Sequence, residues 1–305
     1  MQRLYKKHNS GFNEWDQKPH AENYMLFPEN MGPELSIDEL SLSQGELYTF
    51  VTNKIGRSKK GTLVASIKGT KATDIIEVLE KLPLSSRENV NEITLDMARN
   101  MGAAAKQCFP RANLVIDRFH VVKLVIDALQ HVRIKHRWDA IEQENNAIAL
   151  AKEKGEKYIQ KVFSNGDSLT KLLVRSRFIL AKDSSNWTRN QQIRAEILFK
   201  VYPSIRSVYD HVMQFRWIYK CKNKPTATDR LLKWFDQNKT VGAKELNTAA
   251  RSIQYHSDNI LNFFDNRNTN AFAESFNSKI KLFRANSRGV KDTTFFLFRI
   301  ATLFA

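Results

Sequence analysis

Only two cysteines occur in 305 residues, Cys108 and Cys221, and they form no CxxC pair. A disulfide framework and a cysteine zinc site are both excluded, and a reducing compartment is expected. Long apolar runs are missing as well. No segment approaches eighteen consecutive apolar residues, and the opening MQRLYKKHNSGFNEW has no hydrophobic stretch of the kind an export signal needs. The expectation is a cytoplasmic chain that neither spans a membrane nor is exported. No GxxxxGK[ST] loop, GxSxG elbow or HExxH helix is present, which removes the common nucleotide-hydrolysing, serine-hydrolase and zinc-protease readings. There is no internal repeat and no low-complexity run.

Acidic residues are also in deficit: 32 Asp and Glu stand against 48 Lys and Arg, a formal net charge of +16. Such a field attracts a polyanion, and nucleic acid is the commonest one. The excess is concentrated, since residues 171–224 hold twelve Lys or Arg and three Asp or Glu. That stretch reads either as a solvated helix face or as a phosphate-contacting surface, and the charge of the whole chain favours the second. Hydrophobic residues at 42% and aromatics at 10% fit a folded protein.

Residues 1–33 are polar, dotted with aromatics and aperiodic, and read as a loosely structured arm. Alternation then marks strands at 35–42, 45–52 and 62–67, joined by short turns as in an antiparallel meander. Helical spacing follows from Thr73 to Leu82, stopped by Pro83, and from Met97 to Phe109, closed by Pro110. Strands at 90–96 and 112–117 alternate with these helices, which implies parallel neighbours. The resulting β-β-β-α-β-α-β order predicts an α/β fold, a mixed sheet flanked by helices. From Phe119 to about Phe264 the pattern is almost wholly helical.

In the helix read from Asn268 to Asn286, the last one recognised, Phe272, Phe276, Ile280 and Phe283 form an apolar stripe. Asn270, Glu274, Asn277 and Lys281 form a separate polar one.

Three aspartates follow apolar residues in three strand-like segments: Ile37-Asp38, Leu95-Asp96 and Ile116-Asp117. Taken singly, each reads more readily as a turn former or helix cap, Asp117 above all. Jointly, strand ends gather carboxylates at one edge of a sheet, where a cation relieves their repulsion. Hard Mg²⁺ or Mn²⁺ suits oxygen ligands, and two such ions about 3.5–4 Å apart form the clamp used for in-line displacement at phosphodiesters. His131 and His136 are poorly aligned and read as ordinary histidines. Trp138, Trp187, Trp217 and Trp234 read as core. Phe215-Arg-Trp-Ile-Tyr-Lys220 interleaves aromatic and basic residues and offers a weak signal for stacking on unpaired bases.

Ile37-Asp38-Glu, then Ile93-Thr-Leu-Asp96, then Phe109-Pro-Arg-Ala and Val115-Ile-Asp-Arg-Phe-His120-Val-Val-Lys123, closing with Glu274-Ser-Phe-Asn277-Ser-Lys-Ile-Lys281, together resemble bacterial DDE transposases of the ISL insertion-sequence group. The resemblance covers the chain from about residue 33 onward. It implies an RNase H-like catalytic domain at 34–118, an all-helical insertion at 119–264, and a C-terminal helical part at 265–305 that returns the last acidic residue. The spacing agrees, with 58 positions from Asp38 to Asp96 and 178 from Asp96 to Glu274.

The resemblance also implies that Asp38, Asp96 and Glu274 are the catalytic, metal-binding triad. It makes Asp117 and His120 accessory, and it turns Asn277, Lys281 and Lys123 toward DNA. The implied cofactor is two Mg²⁺ or Mn²⁺ ions, and the implied partners are terminal inverted repeats and target DNA, met by a homo-oligomer. Only some thirty cysteine-free residues precede the first strand read from the sequence, where the family usually carries a DNA-recognition region. The expectation is a separately encoded recognition protein, or a chain cut from a longer enzyme. Two rival readings keep the DNA and change the chemistry: an inactive, repurposed DNA-binding relic, and an RNase H-like nuclease that cuts without joining.

Overall fold

The computed structural model describes residues 6, 10–43 and 45–305; residues 1–5 and 7–9 of the expected arm lie outside the described residues. The chain divides into two compact units, one formed by 1–118 with 258–305 and the other by 119–257.

Among the described residues the first unit is built on six strands: β1 (Tyr24–Leu26), β2 (Glu34–Ser43), β3 (Glu46–Asn53), β4 (Leu63–Lys68), β5 (Glu92–Leu95) and β6 (Asn113–Ile116). They lie in the order β1-β4-β3-β2-β5-β6. The short loops make β2–β3 and β3–β4 antiparallel, whereas β2–β5 and β5–β6 are parallel. Parallel pairing needs helical crossovers. These are α1 (Ala72–Leu79) with α2 (Leu84–Glu88) before β5, and α3 (Arg99–Cys108) before β6. The mixed sheet of an α/β protein follows directly from the loop lengths.

Alternation puts Leu40 and Leu42 of β2 into one core, with Tyr48, Phe50 and Leu63 from the neighbouring strands. Two C-terminal helices cover that face. Helix α13 (Ala271–Asn286) contributes Phe276 and Ile280, and α14 (Thr293–Phe304) contributes Phe296, Leu297, Ile300, Ala301 and Phe304. Phe276 is fully buried and meets Phe50 and Phe304 edge-on at 5.6 and 5.0 Å. Helix α14 is one the sequence reading passes over; Asp292 caps it by accepting the N–H of Phe295 at 2.9 Å.

The aperiodic segment before residue 33 also differs from expectation. It contains β1, which pairs with β4, and it buries Phe12, Ala21, Met25 and Phe27. Two short helices, α11 (Ser257–Leu261) and α12 (Phe263–Asn266), lead toward α13. Their Ile260, Leu261, Phe263 and Phe264 are buried, and Asn262 Nδ2 donates to the β6 carbonyl of Leu114 at 2.8 Å.

The second unit is helical apart from one isolated bridge between Val162 and Ser168. It holds most of α4 (Arg118–Glu153), then α5 (Leu169–Arg175), α6 (Arg177–Leu180), α7 (Arg189–Val201), α8 (Pro203–Ile218), α9 (Lys224–Val241) and α10 (Lys244–Tyr255). Trp234 is 2% exposed and stacks on His211 at 4.6 Å. Trp138 and Trp217 are 62% and 45% exposed, so the core role expected for them is not what the fold gives. Part of the basic excess is spent internally. Arg175 and Arg194 bind the fully buried Asp167, Arg206 binds Asp210, and Arg216 donates to the Ala181 carbonyl. Lys171, Arg177, Lys182, Arg189, Lys200, Lys220 and Lys222 are exposed. No described helix is long and apolar enough to cross a membrane.

Candidate active site

Strand register brings the three aspartates into line. Ser36 of β2 stands beside Thr94 of β5, and Thr94 beside Val115 of β6. Two residues further along each strand come Asp38, Asp96 and Asp117. Side chains alternate in a strand, so all three belong to one sheet face. It is the face covered by α13, because the residues around the start of α13 bond to it. Asn268 Nδ2 donates to Glu92 Oε1 at 2.8 Å and to Glu34 Oε2 at 3.3 Å.

Each aspartate has part of its hydrogen-bonding capacity committed. Asp38 Oδ1 accepts the N–H of Glu39 at 2.8 Å, and its Oδ2 accepts Asn277 Nδ2 at 2.7 Å. Asp96 Oδ1 accepts the N–H of Ala98 at 2.7 Å, shaping the turn into α3. Asp117, 3% exposed, takes the backbone N–H of Asn270 on Oδ1 at 3.3 Å, while its Oδ2 has no hydrogen-bond partner. The cap expected of Asp117 is thus made to a helix 153 residues further on.

Helix α13 is tied down along its length. Ser58 Oγ donates to the Phe272 carbonyl at 2.8 Å, Lys279 Nζ donates to the Ser58 carbonyl at 2.6 Å, and Arg284 donates to the Leu42 carbonyl at 2.7 Å. Ser58 and Arg57 adopt left-handed backbone angles, which turn this loop toward the helix. The buried face of α13 is Ala273, Phe276, Asn277 and Ile280. Phe272, expected in the apolar stripe, is 43% exposed. Of the polar stripe, Asn270 and Asn277 are 1% and 7% exposed, while Glu274 and Lys281 lie open to solvent. Asn277, expected to face DNA, is turned instead to Asp38.

His120 is half-buried in the first turn of α4 and belongs to the helical unit. Lys123 pairs with Asp127 one turn on, at 2.5 Å.

Two features escape a reading of the sequence. Glu39 is one: burial, then the charges of Asp96 and Asp38, raise its pKa above the ordinary carboxylate value. The other is a buried ion pair on the same sheet face, Lys54 Nζ to Glu92 Oε1 at 2.8 Å, with Lys54 also donating to Thr94 Oγ1 at 2.5 Å. Neither carries a local signal.

Among the described residues, no group of three or more His, Cys, Asp or Glu side chains is gathered closely enough to hold a metal ion as the structure stands. The donor chemistry nevertheless fits a hard divalent ion. The acids are all oxygen donors, Asp38 and Asp96 act on Glu39 through space, and Asp117 keeps a buried oxygen without a partner.

Asp38, expected to close a strand, lies instead in the middle of β2, paired with Phe50, because the alternation runs on to Ser43; Asp96 and Asp117 do follow the last residues of β5 and β6. A five-strand core with antiparallel β4-β3-β2 and parallel β2-β5-β6, carrying these three aspartates on the face under a C-terminal helix, defines an RNase H-like α/β protein into which a helical unit is inserted. The model of the ISL group of DDE transposases, whose description is transposase, matches residues 35–300, and the chain belongs to that family. It is similar to the transposase for insertion sequence element IS1001 of Bordetella parapertussis, with 22% identity over 272 residues. The alignment covers 88% of this chain and 60% of that relative, so the chain spans about three fifths of the length of the curated protein it matches. Divalent metal ions are a general requirement of the family.

Proposed function

We propose that this chain is the catalytic core of an insertion-sequence transposase, in which Asp38, Asp96 and Glu274 hold two Mg²⁺ or Mn²⁺ ions. The observation that carries the reading is the juxtaposition of Asp38 and Asp96 on neighbouring parallel strands, with the helix bearing Glu274 hydrogen-bonded to Asp38 itself. Neighbouring strands run about 4.8 Å apart, close enough that Asp38 and Asp96 would both be able to serve a divalent ion held there. The exposure of Glu274 leaves the side facing a duplex open. Bound ions supply Lewis acidity, lowering the pKa of water and stabilising charge on the leaving oxygen.

The proposed reaction has two steps. A water oxygen bonds to phosphorus at the end of a terminal inverted repeat as the phosphorus–O3′ bond breaks, leaving a 3′-hydroxyl. That hydroxyl then bonds to a target phosphorus, and the target's own O3′ leaves. The carboxylates of Asp38, Asp96 and Glu274 would hold the ions, and no covalent protein intermediate is needed. The exposed cations of the helical unit and Lys281 supply contacts to phosphates; Asp117 and His120 are accessory. A homo-oligomer on paired ends completes the proposed assembly.

The test is nicking of DNA carrying the element's ends in Mg²⁺. Asp96→Asn should abolish nicking, by at least about a thousandfold, while DNA affinity and thermal melting stay near wild type. Undiminished cleavage by that variant overturns the assignment. Strand transfer from pre-nicked ends separates cutting and joining from cutting alone.

A further inference from the structure

We infer that Asp117 and Asn277 are positioning residues that pin α13 at two points and thereby set Glu274 on the side of the sheet aspartates. The part of this that concerns Glu274 rests on the reading above; the pinning itself does not.

The first turn of any helix leaves N–H groups without an intrahelical acceptor. At the start of α13, Asn270 is the N-cap residue, yet its side chain makes no capping bond. Its backbone N–H goes instead to Asp117, a carboxylate delivered from β6. A negative group there also suits the positive end of the helix dipole. Both residues are almost completely buried, at 3% and 1% exposure, so water does not compete for the contact. The second pin lies seven residues on, where the buried amide of Asn277 donates to Asp38 Oδ2 at 2.7 Å.

The geometry accommodates both pins at once. Seven residues of helix advance about 10.5 Å. Asp38 lies within β2 and Asp117 just past β6; those strands flank β5, two spacings of about 4.8 Å apart, or about 9.6 Å. At 100° per residue, positions 270, 274 and 277 fall within an arc of about 60°. Glu274 therefore sits on the pinned stripe, between the two contacts. Asp96 stands correspondingly between Asp38 and Asp117 on the sheet. The outer aspartates grip the helix, and the central one lies between the two grips on the sheet, as Glu274 does along the helix.

Two other roles compete: Asp117 as a metal ligand, and Asn277 as a DNA contact. The variants Asp117→Asn, Asp117→Ala and Asn277→Ala in the full chain separate them, because the asparagine at 117 keeps an acceptor oxygen and loses only the charge. The first measurement is amide hydrogen exchange over 270–278 in metal-free protein. Pinning predicts exchange about tenfold faster in Asp117→Ala and in Asn277→Ala, and near wild type in Asp117→Asn. The second is the Mn²⁺ concentration that half-saturates nicking. It should rise about tenfold in both alanine variants and stay within about threefold in Asp117→Asn, with DNA affinity unchanged throughout.

If Asp117→Asn is as inactive as Asp117→Ala while α13 exchange is unaltered, Asp117 is a ligand and the inference fails. If Asn277→Ala loses DNA affinity without faster exchange, its half fails. Should Asp117→Ala not fold, exchange in Asn277→Ala decides its pin, and the Mn²⁺ requirement of Asp117→Asn decides the other: within about threefold of wild type supports pinning, and lost activity overturns it. A wild-type protein that does not nick at all sinks the proposed function, and the exchange measurement then judges the pinning alone.

Discussion

Replacing Lys54 by Met should destabilise the sheet unit by about 3–5 kcal/mol, the range found when one partner of a buried ion pair is removed. The side chains of Lys54 and Glu92 are 6% and 7% exposed, which places the pair among buried rather than surface salt bridges. Met keeps the unbranched apolar stem, so the loss is chiefly electrostatic. Glu92 then keeps only amide donors, Asn268 at 2.8 Å and Asn266 at 3.3 Å, against a full buried charge. Thr94 loses its donor as well. Set against a typical total of about 5–15 kcal/mol, this is a large fraction.

Adding Glu92→Gln neutralises the stranded charge and keeps an oxygen for the asparagines. The double variant should therefore recover about 2 kcal/mol relative to additivity. Denaturant-dependent hydrogen exchange resolves the two units: protection in β5 should fall, while protection in α8 stays constant. A loss below about 1 kcal/mol, an additive double variant, or an equal fall in α8 would refute the reasoning. Because Asn266 and Asn268 lie in the segment entering α13, the same variant should also weaken nicking.

His211 is 3% exposed with no partner on Nε2, and burial pushes it down to about 4. The unfolded chain takes up a proton that the fold refuses, so stability is complete above the ordinary value of about 6.5 and falls as pH drops toward 4. About 2 kcal/mol should be lost between pH 7 and 5, and His211→Phe should remove that slope in melting curves. Asp167→Ala removes a buried acceptor shared by the half-exposed Arg175 and by Arg194 and should cost the helical unit about 1–3 kcal/mol. Tryptophan fluorescence reads this directly, since four of the five tryptophans lie in that unit; an unshifted transition would count against it. Lys281→Ala should lower DNA affinity alike for all sequences and reduce the salt slope by about one; an unchanged slope would place the phosphates elsewhere.

The five main strands were legible because each alternates or is bounded by turn residues, and Pro83 and Pro110 mark where two helices must stop. Tyr24–Leu26 was not, since three residues carry no period and only Met25 of them is buried, in a core completed by residues from distant strands and helices. Helix α14 was missed for the opposite reason. Phe295, Phe296, Leu297, Phe298, Ile300, Ala301 and Phe304 are all buried, so the segment is apolar all round and shows no stripe. The three aspartates were visible as a pattern. Glu39 was hidden, because beside Asp38 it reads as the outward half of an alternation. Lys54 and Glu92 lie 38 residues apart, and only the folded sheet makes them neighbours.

An aspartate at a strand end invites a choice between a structural and a chemical reading, and the hydrogen bonds dissolve that choice. A carboxylate offers about four lone-pair sites. Ala98 takes one on Asp96, and Asn270 takes one on Asp117, leaving the other oxygen of Asp117 without a hydrogen-bond partner. The N–H that shapes the turn also orients the carboxylate, fixing where its remaining lone pairs point. Turn formation is then a precondition for ligation. The consequence for experiment is concrete. Asp→Ala at these positions removes turn and charge together and cannot distinguish the roles, whereas Asp→Asn keeps an acceptor for the N–H and removes only the charge. If Asp96→Asn melts like wild type and does not nick, the turn is intact and the missing charge accounts for the chemistry. If it unfolds, the turn needs the charged carboxylate, and the chemical reading loses its cleanest support.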